Sequence, residues 1–330
     1  MLAVVRHAND GRGRLRIEET PMPQPAPHDV LLQVTACGVC RTDLHIVDAQ
    51  LPAHQAAIIP GHQIVGRVRA AGSSVDPSML GTRRGVSWIA STDGTCSHCR
   101  AQRENLCDAM QYTGYDRNGG YAQYAAARAD FTYELPDALS DVDAAPLLCA
   151  GIIGFRALRV AGVERGERVG LFGFGASAHL AIQVLHAWKC EVYVCTRGDS
   201  HRALAQRMGA AWVGDERSAP PRPLDRAITF APSGEVVIAA LSSLRKGGVV
   251  AVNAIHLDRI PEFDYDRLLW GERQIRSVAN MTRKDASDFL ALAASAGIRS
   301  RVTDFSLREA ARALESLRAD RVDGAAVLIP

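Results

Sequence analysis

The sequence predicts an α/β protein of two domains, the second built on a doubly wound parallel sheet. Three observations predict it: the length of the chain, a change of texture near residue 155, and a glycine turn set between a strand and a helix. With 330 residues the chain exceeds the roughly 250–300 residues at which single hydrophobic cores stop growing. From about residue 25 to 150, short strand-like runs such as DVLLQVTACGV and IVGRVRAAG are broken by Gly and Pro, which reads as a β-rich half. From about residue 155 strands and helical stretches alternate: RVGLFGF, HLAIQVLHAWK, EVYVCT, SHRALAQRMGA, GGVVAVNAI. That alternation is the mark of parallel strands joined by helical crossovers. Near the end, LREAARALESLRADR has apolar residues at helical spacing and leads into a strand-like AAVLIP, a candidate to return to the first domain.

Composition excludes several classes of function. The apolar fraction is 47% and the charged fraction 22%, the values of an ordinary folded protein. Thirty-eight basic and 36 acidic residues leave a formal net charge of +2, with no basic field for nucleic acid or an anionic membrane. No apolar run approaches the roughly 20 residues of a bilayer span, and MLAVVRHAND meets charge too early for a secretory signal. The expectation is a cytoplasmic protein with a small-molecule partner. In that reducing compartment the eight cysteines read as metal ligands or reactive groups before disulfides.

The segment RVGLFGFGASAHLAIQVL places Gly173, Gly175 and Ala178 in a G-x-G-x-x-A pattern between an apolar strand and an amphipathic helix. Each small residue has a physical reason: Gly173 permits the tight turn, Gly175 lets the backbone approach a pyrophosphate, and Ala178 allows close helix-to-strand packing. The phosphates would meet the helix amino terminus. The next strand ends at Cys195, where NAD-selective domains place an acid for the ribose hydroxyls. Thr196 and Arg197 follow instead. An arginine there can make charge-assisted hydrogen bonds to a 2′-phosphate, so the expectation leans to NADP over NAD, with Asp199 as the alternative ribose partner.

ACGVCRTDLH supplies Cys37, Cys40, Thr42, Asp43 and His45; IPGHQIVG supplies His62; PLLCAGIIG supplies Cys149. Two thiolates and one imidazole suit zinc, and three protein ligands leave a fourth position open for Lewis-acid chemistry on a carbonyl or alkoxide. Spacing alone does not choose between Cys37 and Cys40.

GVCRTDLH, PGHQIVGRV, the cysteine-rich stretch, CAGIIGFRAL and GFGASAHLA occur in the order found in zinc-dependent alcohol dehydrogenases of the medium-chain dehydrogenase/reductase family, and the resemblance extends over nearly the whole chain. It implies a GroES-like, β-rich catalytic domain over 1–150 and about 290–330, and a Rossmann domain over about 151–289. It implies Cys40, His62 and Cys149 as catalytic zinc ligands, with Cys37 a buried strand residue. Thr42 resembles the hydroxyl that bonds the reacting alcohol, and His45 the imidazole that passes its proton to solvent. Asp43 resembles the carboxylate that orients His62. Trp88 matches a wall of the substrate pocket, and Arg283 a position that contacts pyrophosphate.

Two residues depart from the family pattern. Gln63 follows His62 where the family commonly has Glu, which makes the site less negative. Asp93, Cys96, Cys99 and Cys107 keep the x2, x2, x7 spacing of the family's structural zinc lobe, with aspartate in place of the first cysteine. A carboxylate oxygen can ligate zinc, so a second zinc is expected there, and His98 is a conceivable substitute ligand. The function implied is hydride transfer between a small alcohol or aldehyde and NAD(P), in a homo-oligomer. The competing readings are a zinc-free quinone or enone reductase of the same fold and a non-catalytic zinc or redox sensor.

Overall fold

The computed structural model describes residues 1–330 apart from positions 217 and 323. The chain divides into two compact units: Met1–Cys149 with Thr282–Ala294 and Arg299–Pro330, and Ala150–Met281 with Ser295–Ile298.

The first unit is organised by the eleven-residue strand Asp29–Val39. Its sequence, DVLLQVTACGV, is apolar at nearly every position rather than at alternate ones, and the strand is buried on both faces. It pairs antiparallel with Gln63–Ala71, Tyr124–Arg128 and Ala325–Ile329. The last of these strands also pairs in parallel with Val302–Ser306, so AAVLIP closes the sheet of the first unit. Arg83–Val86 and Thr132–Glu134 extend the other side. A core of Val4, Val30, Leu32, Ile64, Val68, Tyr121 and Leu328 fills the space beneath. Register sets the site: Cys37 lies opposite Ile64 and Gly38 opposite Gln63, so the end of one strand and the beginning of its neighbour arrive together.

The second unit is a six-stranded, all-parallel sheet in the order Trp212–Gly214, Glu191–Cys195, Arg168–Phe172, Leu224–Thr229, Leu244–Val252, Gln274–Ser277. Numbered along the chain this is 3-2-1-4-5-6, the order of a Rossmann fold, whose strand order reverses between the first and fourth strands. The stretches VGLF, VYVC, AIT and VVAV of the inner strands are buried at every position, as in a parallel sheet covered on both faces.

One helical run does meet the length and apolarity of a bilayer span, contrary to the reading of the sequence: Asp141–Ala161, 21 residues. Two thirds of its window, 67%, is buried inside the protein. Its apolar character belongs to core packing.

Candidate active site

Three segments of the first unit converge. Asp29–Val39 runs out into Cys40, which caps the helix Arg41–Val47. The Cys40 sulfur accepts the Thr42 backbone N–H at 3.3 Å, and Asp43 Oδ2 accepts the Cys40 N–H at 2.8 Å, a reciprocal box that locks the first turn. His62 enters from a turn through Gly61, whose φ of +93° suits glycine alone. Cys149 sits in a π-helical turn, Leu147–Gly151, a distortion that re-aims a side chain relative to an α-helical turn.

The ligand atoms of Cys40, His62 and Cys149 lie within 4.8 Å of one another, with Cys40 Sγ 3.4 Å from His62 Nε2. A sulfur and a nitrogen bound tetrahedrally at about 2.3 and 2.0–2.1 Å would be about 3.5 Å apart, so the residues present fit a zinc ion. Cys37, fully buried, is outside the group. His62 Nδ1 lies 3.2 Å from Asp43 Oδ1, both side chains being inaccessible to solvent. Titration reflects this crowding. The hydrogen bond from Cys149, with His62 nearby, holds the Cys40 thiol well below its usual range, while the same bond, together with burial, pushes Cys149 well above it. Burial pulls His62 down, but Cys40 and Asp43 outweigh it and raise the imidazole to about 10. A thiolate beside imidazolium is a cluster that gives up protons when a cation binds.

Thr42 and His45 share the helix that begins at Cys40; both are half-buried, and His45 Nδ1 is hydrogen-bonded to Gln50 Oε1. Trp88 meets the His62 ring edge-on, with centroids 5.0 Å apart. It stacks on Tyr112 at 4.7 Å and on Tyr115 at 6.3 Å. Reading the sequence missed Tyr112 and Tyr115; the only local signal is their spacing in QYTGY. It also missed the support beneath: the Tyr115 hydroxyl donates to Pro52 O at 2.6 Å, and His54 Nδ1 lies 2.5 Å from Asp116 Oδ1. Gln63 is buried against Gly38, where a Cβ would fall 2.9 Å from the amide, and its Nε2 has no hydrogen-bond partner.

The second cluster is also assembled. Ligand atoms of Asp93, Cys96, Cys99 and Cys107 lie within 4.8 Å of one another. Asp93 Oδ1 accepts the Thr95 and Cys96 amides at 2.8 and 3.0 Å, and these bonds hold the carboxyl well below its usual range. One oxygen is thereby committed to the loop while the other is left to coordinate. His98 is outside this four-residue group.

In the second unit Gly173 has φ +93°, a Cβ there would fall 3.1 Å from Ala231 N, and its N–H donates to Cys195 O at 2.8 Å. Gly175 caps the helix Ala176–Ala187 and faces open space, whereas Ala178 is buried. Thr196 is buried at the end of the second strand. Arg197 is exposed and 3.1 Å from Glu216; Asp199 opens the next helix and pairs with Arg202. Arg283 belongs to the first unit, where its N–H donates to Glu104 at 2.8 Å and its guanidinium covers Phe131 at 4.8 Å.

A soft three-ligand metal cluster in one unit and a dinucleotide-type phosphate turn in the other define a metal-dependent nicotinamide oxidoreductase. Comparison with known proteins sharpens the class. Residues 26–137 match the alcohol dehydrogenase GroES-like domain and residues 178–295 the zinc-binding dehydrogenase domain. The chain is 46% identical over 322 residues to a probable alcohol dehydrogenase, AdhA, of Mycobacterium tuberculosis, covering 96% of this chain and 93% of that protein. It is 31% identical over 327 residues to an alcohol dehydrogenase of Geobacillus stearothermophilus, covering 95% and 96%. Among solved structures it resembles acetophenone reductase from Geotrichum candidum, determined in complex with NAD, with a TM-score of 0.87, 26% identity, and coverage of 100% and 97%. The alcohol dehydrogenase of Aeropyrum pernix gives a TM-score of 0.86 at 27% identity, with all of both chains covered. The chain belongs to the zinc-binding alcohol dehydrogenases of the medium-chain dehydrogenase/reductase family.

Proposed function

We propose that Cys40, His62 and Cys149 hold a catalytic zinc and that the protein interconverts small alcohols and their aldehydes or ketones with a nicotinamide dinucleotide. The observation that carries this reading is the convergence of those three ligand atoms, from distant segments, within 4.8 Å. Zinc with three protein ligands keeps a coordination position for the substrate oxygen and acts there as a Lewis acid. The chain's own residues do the rest. Asp43 accepts a hydrogen bond from His62 Nδ1–H, which keeps the proton on Nδ1 and leaves the Nε2 lone pair beside Cys40. The Thr42 hydroxyl accepts the alcohol's proton as it hands on its own, and His45, one turn along the same helix and half-exposed, takes the relayed proton and releases it to solvent. The Trp88 ring, backed by Tyr112, narrows the space beside His62 and favours slender substrates. Gln63, a neutral amide, leaves the cluster one negative charge poorer than a glutamate would.

Gly173, Gly175 and Ala178 shape the pyrophosphate site, with Thr196 and Arg197 at the ribose. The pairing of Arg197 with Glu216 is exposed and worth about 0–1 kcal/mol, too little to keep the guanidinium from a 2′-phosphate. Arg197→Ala is therefore expected to raise KM for NADP roughly tenfold and leave NAD within about twofold. Equal effects on both cofactors would show that Arg197 does not read the 2′ position.

Asp93, Cys96, Cys99 and Cys107 are assigned to a structural zinc, which rigidifies a loop and takes no part in turnover. Asp93→Asn keeps an acceptor for the Thr95 and Cys96 amides but is a poorer ligand. It is expected to cost one zinc per chain and several degrees of melting temperature, with kcat within about twofold. Retention of both zincs would remove Asp93 from the ligand set.

The direct test of function is metal analysis of the purified protein combined with turnover of short, branched and aromatic alcohols with each nicotinamide cofactor. Two zincs per chain and alcohol turnover abolished by a chelator are expected. Turnover of quinones without metal would overturn the reading.

A further inference from the structure

Tyr121 is fully buried in the core of the first unit, and its neighbours are those of the zinc cluster. The segment Gly119–Tyr121 is bonded along the turn that delivers His62: Gly119 N–H to Ile59 O at 2.7 Å, Gly120 N–H to Gly61 O at 2.8 Å, and Tyr121 N–H to Pro60 O at 3.0 Å. The fit admits no side chain. A Cβ on Gly61 would lie 2.3 Å from the Tyr121 ring, one on Gly119 2.0 Å from Gly61 O, and one on Gly120 2.9 Å from Cys37 Sγ. The ring thus rests on the residue immediately before His62.

The hydroxyl is equally constrained. Tyr121 Oη is buried without a hydrogen-bond partner, and so is Asp43 Oδ1 apart from its 3.2 Å ion-pair contact with His62 Nδ1. Burial first, and then the negative charge of Asp43, push the phenol well above its usual range. The phenol is a neutral donor and the carboxylate an acceptor. A buried hydroxyl is costly to leave unpaired, so the two groups have reason to meet.

We infer that Tyr121 is a positioning residue of the metal site: its hydroxyl donates to Asp43 while its ring clamps the Gly61 turn, so that His62 is held through both its imidazole and its backbone. The inference rests on the zinc reading of Cys40, His62 and Cys149. With bonds from the Cys40 amide, His62 and Tyr121, the Asp43 carboxylate has no freedom to turn away from the imidazole. Outer partners of metal-bound histidines typically carry roughly 10–100-fold in metal affinity, and Tyr121, one group farther out, should sit at the low end.

The test follows zinc release from the loaded enzyme to a chromophoric chelator, in wild type, Tyr121→Phe, Asp43→Asn and the double variant. The phase that tracks loss of turnover reports this site; the remaining phase, absent in Asp93→Asn, is an internal control. Tyr121→Phe is expected to speed the first phase about tenfold and leave the second unchanged, and the double variant to release no faster than Asp43→Asn alone. Release at the wild-type rate, acceleration of both phases alike, or effects that multiply in the double variant would each overturn the inference. Wild-type protein with no zinc phase tied to turnover would overturn the zinc reading as well.

Discussion

Cys149→Ser is expected to lower kcat/KM for alcohol oxidation by roughly a thousandfold or more and to remove one zinc per chain, with little change in melting temperature. Lewis-acid polarisation of the substrate oxygen is worth several kcal/mol, and every 1.36 kcal/mol is tenfold in rate. Serine nearly matches cysteine in volume and is a far weaker ligand for a soft ion, so the change isolates coordination from packing. The π-helical turn Leu147–Gly151 that carries the residue is flanked by the buried Leu147, Leu148 and Ile152, none of which depends on the thiol. Zinc content, turnover and thermal melting on one preparation check this. A variant that keeps its zinc and its rate would take Cys149 out of the site.

Gly175→Val is expected to weaken dinucleotide binding roughly 10–100-fold while the protein stays folded. Gly175 has an extended backbone, φ −92° and ψ −161°, which a β-branched residue adopts readily. A Cβ there meets nothing within 4 Å, so the space it would occupy is open to a ligand. Valine would hold the pyrophosphate away from the amides of the helix start, and each charge-assisted hydrogen bond lost is worth about 1.5–3 kcal/mol. As a helix cap it costs up to about 1 kcal/mol relative to glycine, a few degrees of melting temperature. Cofactor titration and melting together decide it: undiminished affinity would mean that the phosphates bind elsewhere.

The contrast with Gly173 explains how much of the site was legible. Both glycines belong to one local motif, and the demands on them, a φ of +93° at Gly173 and open space at Gly175, are met within a few residues of chain. Strand, turn and helix in sequence are therefore enough to read the turn. The aspartate at 93 was legible for the same reason, since its cluster with Cys96, Cys99 and Cys107 is a short-range spacing. The membrane-length helix was not: periodicity and hydropathy do not report that most of Asp141–Ala161 is buried within the protein.

What the sequence by itself determined is everything carried by near neighbours along the chain: the alternation of strands and helices in the second half, the glycine turn, the capping of Arg41–Val47 by Cys40 and Asp43, and the residue types suited to zinc. What only the tertiary structure decided is which of those types meet. Cys40 and Cys37 are three residues apart and chemically alike, yet strand pairing opposite Ile64 and Gln63 buries Cys37 in the core and leaves Cys40 at the strand's end beside His62. Tyr121 carries no motif, and its place against Gly61 comes from backbone bonds between the Ile59–Gly61 and Gly119–Tyr121 segments. The reason is physical: turn and cap energies are set by adjacent residues, whereas a metal or a buried carboxylate is surrounded by side chains that only long-range pairing brings within bonding distance.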